Sequence, residues 1–92
     1  MIKTFRCNET EQISLGRRSK RFGNIEVVAR RKLRMIQSAG KLDDLKAPPG
    51  NRLEALTGDR KGQHSIRIND HWRVCFEWRD GDAYGVEIVD YH

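Results

Sequence analysis

The sequence predicts an α+β domain, and three observations carry that expectation. Apolar residues recur at helical spacing before Pro48-Pro49-Gly50 and at a spacing of two after it. The proline pair and its glycine mark the boundary, because proline cannot continue a helix and glycine favours a turn. Beyond it, Asn69-Asp70 and Asp80-Gly81 are turn signals that divide the alternating stretch into hairpin-connected strands. The expected architecture is an N-terminal strand and two helices packed on a mainly antiparallel sheet. A chain of 92 residues has room for one such core, so residues 1–92 are expected to form a single domain.

Taken in order, Met1 to Arg6 alternates Ile2 and Phe5 with polar residues, the pattern of a short strand. Asn8-Glu9-Thr10-Glu11 has the form of a helix start, with Asn8 as N-cap and Glu11 three residues on, and Gly16 would stop that helix after Ile13 and Leu15. A longer helix is expected from Ile25 to about Ser38, capped by Asn24 and ended by Gly40. Its stripe of Ile25, Val28, Ala29, Leu33 and Ile36 is core, with Arg30, Arg31 and Arg34 off the stripe. Leu42 and Leu45 add a helical turn before the prolines.

Four strands are then expected over residues 52–56, 64–69, 72–78 and 84–91. Trp72, Val74, Phe76 and Trp78 share one face of the third, opposite Arg73, Cys75 and Glu77. Ile66 and Ile68 lie opposite Ser65, Arg67 and Asn69, and Val86 and Ile88 lie opposite Glu87, Val89 and Tyr91. Paired in sequence, these strands bring Arg67 and Arg73 to one face, with Glu54 and Tyr91 able to join them. Arg60 and Lys61 sit at the rim in the glycine-marked loop of residues 57–62.

The net charge of +5 and the pI near 9.6 point to a polyanionic or acidic partner. Arg17-Arg18-Ser19-Lys20-Arg21 is the densest positive cluster, too repulsive for a packed element, and so a solvated loop or helix end. Cys7 and Cys75 match no disulfide framework or metal spacing and read as structural thiols of a reducing cytoplasm. The first five residues lack the apolar run of a signal peptide, and no segment could span a membrane. A cytoplasmic protein is expected.

A base, a cation and an acid on neighbouring strands are what cleavage of an RNA phosphodiester by its own 2′-hydroxyl requires. Glu54, Arg73 and His92 suit those roles by residue type. His64 and His71 read as structural or surface residues, and Trp72 and Trp78 as core.

The run Pro49-Gly50-Asn51-Arg52-Leu53-Glu54-Ala55-Leu56-Thr57-Gly58-Asp59-Arg60, then Ser65-Ile66-Arg67-Ile68-Asn69, then Trp72-Arg73-Val74-Cys75-Phe76 and the ending Val89-Asp90-Tyr91-His92 together resemble the HigB toxins. These belong to the RelE/ParE superfamily of bacterial toxin–antitoxin systems. The resemblance implies a RelE-like microbial RNase fold and a ribosome-dependent mRNA interferase that cuts message in the A site, with no metal or other cofactor. It implies as partners the ribosome with its 16S rRNA, mRNA, and a HigA-type helix-turn-helix antitoxin. It places Asp90, Tyr91 and His92 in the active centre with the sheet arginine Arg73.

Some HigB members carry a histidine where this chain has Glu54 and a lysine where it has Thr57. Glu54, Arg73 and His92 look more like the YoeB arrangement of glutamate base, arginine and near-terminal histidine acid. There Tyr91 would pack on, or bond to, the substrate base. Arg60, Lys61, Arg67, Arg17 and Arg18 are the candidate RNA contacts, the last two equally candidates for the antitoxin. The alternative within the superfamily is a ParE-like toxin that inhibits DNA gyrase by binding, since the scaffold alone does not fix the activity.

Overall fold

The computed structural model describes residues 1–90; Tyr91 and His92 lie outside the described residues. Two helices, α1 (Asn8–Ser14) and α2 (Glu26–Ser38), precede four strands: β1 (Glu54–Ala55), β2 (Gln63–Arg67), β3 (Trp72–Arg79) and β4 (Asp82–Asp90). The strands form one antiparallel meander in the order β1-β2-β3-β4. The α+β expectation holds, and several boundaries move for identifiable reasons.

The N-terminal stretch is reduced to two isolated parallel bridges on β4, Ile2 to Ala83 and Phe5 to Val86. Between them Gly85, at φ +60°, forms a bulge, and its N–H is donated to the Thr4 hydroxyl at 2.7 Å instead of to a continuous ladder. The bulge lets Ala83, Val86 and Ile88 all reach the core. Thr10 of α1, fully buried, accepts the Ile88 N–H at 3.0 Å, so α1 and the N-terminal segment together cover the β4 edge.

Both expected asparagine caps are corrected. The N-cap of α1 is Cys7, and the N-cap of α2 is Ile25; neither uses a side-chain cap. A turn closed by Ile25 N–H to Phe22 O at 3.0 Å leads directly into α2, and the Glu26 carboxylate reaches back to the Ser19 N–H at 3.1 Å. Gly16 behaves as expected. At φ +84° it gives α1 a Schellman end, with Gly16 N–H to Ile13 O at 3.0 Å and Arg17 N–H to Gln12 O at 3.0 Å. Gly40 does not act this way: Ala39 leaves α2 in an extended conformation, and the Gly40 and Lys41 N–H groups are both taken by the Asp44 carboxylate at 3.0 and 3.1 Å.

The core lies between the helices and one face of the sheet. Ala29, Leu33 and Ile36 of α2 and its N-cap Ile25, with Ile13 and Phe22, pack on Ile66, Ile68, Val74, Phe76, Ala83, Val86 and Ile88. Phe22 meets the Trp72 ring edge-on, with centroids 5.3 Å apart. Lys32 lies among these residues on α2, buried to 7% exposure, where its ammonium donates to Asn51 Oδ1 at 2.5 Å. Burial, then the charges of Arg31 and Arg67, hold its pKa below the ordinary lysine value.

Candidate active site

Directly paired residues of antiparallel strands project to the same side. Glu54, Ser65, Cys75 and Glu87 therefore form one row across all four strands, and Arg67, Arg73 and Val89 form the next. Ile66, Val74 and Ile88 fill the helix-side core, so these two rows occupy the opposite face. The pairing brings Glu54, Arg67 and Arg73 together as expected.

Arg73 is the centre of that face, and it is only 6% exposed rather than an open strand arginine. Its Nε donates to Ser65 Oγ at 2.7 Å, and its Nη2 donates to the carbonyls of Arg52 at 2.6 Å and Ser65 at 3.4 Å. Glu54 Oε1 stands 3.6 Å from the same Nη2, on a side chain that is half exposed. Among the described residues, three of these contacts are to neutral oxygens and one is to the Glu54 carboxylate at the solvent side. A cation fixed in this way, in a setting drier than bulk water, can stabilise charge developing on a phosphoryl group.

Around it, Arg60 and Arg67 are engaged rather than loose. Arg60 folds over the sheet from the β1–β2 loop, its Nη1 donating to Glu87 Oε1 at 2.9 Å and Gln63 Oε1 at 3.1 Å. Glu87 also lies 3.8 Å from Arg6 Nη1. Arg67 pairs with Asp70 in the β2–β3 turn, and this guanidinium holds the Asp70 carboxyl below its usual pKa. Lys61 is exposed at the loop rim. Cys75 is fully buried within the face, and burial pushes its thiol pKa up, so it reads as a packing residue rather than a nucleophile.

Three of the sequence-named residues are not gathered here. Asp90 pairs with Trp72, one step out of phase with Arg73, and so projects towards the opposite side at the strand end. Arg17 and Arg18 lie in the helix layer, where Arg17 bonds Gln12 Oε1 at 2.7 Å and its carbonyl accepts from Arg30 at 3.1 Å. Two clefts also belong to that layer, a groove between Phe5, Leu15, Leu33 and Arg34 and a basin beside Arg18 and Lys20; neither opens onto Glu54 and Arg73. His64 faces the helix side, stacked on Phe76 at 6.3 Å. Tyr91 and His92, named for the active centre, fall outside the described residues.

Sequence reasoning missed Ser65 and Asn51 as site residues. The signal for Ser65 was its place two residues before Arg67 on the polar face. Lys32 also had one: it lies four residues before Ile36 and seven after Ile25, on the apolar stripe itself.

The fold is that of the RelE-like toxins. Over the whole chain the structure resembles a chain of the YoeB–YefM toxin–antitoxin complex from Staphylococcus aureus, with a TM-score of 0.58 at 18% identity, covering 98% of that chain. A YafQ mutant from E. coli superposes with a TM-score of 0.57 at 12% identity, over 98% of this chain and 93% of that one. The chain belongs to the HigB-like toxin family, described as the RelE-like toxin of the type II toxin–antitoxin system HigB, whose sequence profile matches residues 14–92. It is similar to Toxin HigB-1 of Vibrio cholerae, 47% identical over 65 residues that cover 71% of this chain and 68% of that protein. It is also similar to a protein named Endoribonuclease HigB from Proteus vulgaris, 44% identical over 41 residues, 45% of each chain.

Proposed function

We propose that this chain is an endoribonuclease that cuts message in the A site of the translating ribosome and is neutralised by a HigA-type helix-turn-helix antitoxin. The observation that carries this reading is the Arg73 guanidinium, held by Ser65 and the Arg52 carbonyl, with the Glu54 carboxylate 3.6 Å away. Membership of the HigB-like family and similarity to a protein named an endoribonuclease support it.

In the proposed reaction Glu54 accepts the proton of the message 2′-hydroxyl as that oxygen attacks the adjacent phosphorus. Arg73 stabilises the charge gathering on the non-bridging oxygens. The bond to the 5′-oxygen breaks, and His92 supplies the proton that the leaving oxygen takes. Tyr91 packs on the substrate base; Asp90, which projects to the other side of the sheet, takes no step in the reaction. The 2′-hydroxyl is the nucleophile, so the mechanism has no step that calls on a metal ion. Arg60, Lys61 and Arg67 contact flanking phosphates, a phosphate displacing Glu87 or Asp70 from the first and last. Arg17 and Arg18, on the helix side, serve ribosomal RNA or the antitoxin.

The purified chain, added to a translating extract with message ends mapped by primer extension, tests this. New ends within codons, on translated message only, are expected. Glu54→Gln should slow their appearance about 100-fold with little change in binding, the usual weight of a general base. Intact message together with DNA damage in expressing cells would instead assign the chain to the gyrase-directed branch of the superfamily.

A further inference from the structure

We propose that Ser65 and Asn51 are positioning residues for Arg73, Ser65 through its hydroxyl and Asn51 through the carbonyl of Arg52. The inference rests on the reading of Arg73 as the phosphate-stabilising cation. An arginine side chain has several soft torsions, and one hydrogen bond leaves its guanidinium free to swing. Here Ser65 Oγ holds Nε at 2.7 Å and the Arg52 carbonyl holds Nη2 at 2.6 Å, so the plane is gripped at two points. Both of these acceptors are neutral, and the Glu54 carboxylate stands farther off, 3.6 Å from Nη2. Ser65 is fully buried, so its hydroxyl does not serve solvent.

The second grip depends on an uncommon backbone conformation. Arg52 lies in the left-handed region, at φ +46° and ψ 57°, which non-glycine residues enter reluctantly. Such a conformation persists when its surroundings over-determine it, and it clusters at functional sites. The surroundings here are Asn51. Completely buried, it donates through Nδ2 to the carbonyls of Leu45 at 3.2 Å and Ala47 at 3.3 Å, while Oδ1 accepts from Lys32 at 2.5 Å. Its own N–H closes the turn on Pro48 O at 2.9 Å. The residue immediately before Arg52 is thereby bolted to α2, and the Arg52 carbonyl inherits a fixed place beside the sheet. The buried Lys32–Asn51 pair thereby acquires a role: it registers the catalytic face against the helix layer.

Two readouts on the full chain test this. One is single-turnover cleavage of ribosome-bound message. The other is exchange of the Arg73 Nε–H proton followed by NMR, which requires no activity. Ser65→Ala is expected to lower the cleavage rate constant about tenfold, with the half-saturating ribosome concentration unchanged, and to expose Nε–H to rapid exchange. Ser65→Thr, which keeps the hydroxyl, should restore both. Asn51→Asp, which loses two donors but keeps the acceptor for Lys32, should move Nε–H exchange in the same direction. Should that variant not fold, Lys32→Met, which removes the ammonium held by Asn51 Oδ1, takes its place with the same expected direction; an Nε–H as protected as in wild type overturns the part given to Asn51. Wild-type cleavage by Ser65→Ala, or an Nε–H that stays protected in it, overturns the proposal. If the wild-type chain cuts no message, the nuclease reading falls by itself, and the NMR comparison still decides whether Ser65 and Asn51 position Arg73.

Discussion

Arg73→Lys is expected to lower message cleavage by about 100- to 1,000-fold, the loss seen when one preorganised charge-stabilising donor is removed. The charge is retained in this variant, so the size of the effect measures geometry. An ammonium is a point charge on a flexible stem and cannot hold Ser65 Oγ and the Arg52 carbonyl at 2.7 and 2.6 Å while facing a phosphate in a fixed plane. It would also leave one of these acceptors short of a donor in a region where Arg73 is only 6% exposed. Single-turnover assays with a melting curve for each protein separate lost chemistry from lost fold. A rate within threefold of wild type would remove Arg73 from the centre of the mechanism.

The largest effect on stability is expected from Phe76→Ala. Phe76 is fully buried in the middle of β3, stacked with His64 and edge-on to Trp78 at 6.4 Å. Removing such a ring costs about 3–5 kcal/mol, the transfer term plus the cavity it leaves. Against the roughly 5–15 kcal/mol that holds a small domain together, that is a large fraction. In a chain of this size it should lower Tm by roughly 15 °C or more. Differential scanning calorimetry would check this, and a shift under about 5 °C would mean that the sheet and helices repack around the hole.

Periodicity carried most of this fold. The α2 stripe and the alternation of β3 each have one dominant period, so the buried faces of Ala29, Leu33, Ile36, Val74 and Phe76 could be read directly. Caps were less readable: α1 starts from Cys7 and α2 from Ile25 with no side-chain cap, while Glu26 reaches back to Ser19 and Asp44 takes the Gly40 N–H, contacts that spacing does not reveal. The Gly85 bulge was hidden for a similar reason, since a single inserted residue leaves the apolar count of β4 unchanged.

At the site, strand pairing was enough to place Glu54 beside Arg73. The same period-two logic carries Asp90 to the Trp72 side. It could not show that Arg73 is enclosed, because the enclosure comes from the Arg52 carbonyl, delivered by a left-handed residue in an irregular loop. Lys32 had the stripe position of a core residue and the chemistry of a surface one; its partner Asn51 reconciles the two.

The central claim is that message is cut by its own 2′-hydroxyl, with Glu54 and Arg73 as base and stabilising cation. The most direct test is the chemistry of the ends released from ribosome-bound message, read by phosphatase and kinase sensitivity. The account predicts a 2′,3′-cyclic phosphate, or the 3′-phosphate it opens to, on one side of the cut and a 5′-hydroxyl on the other. A 5′-phosphate facing a 3′-hydroxyl would show that water made the attack, and would contradict it.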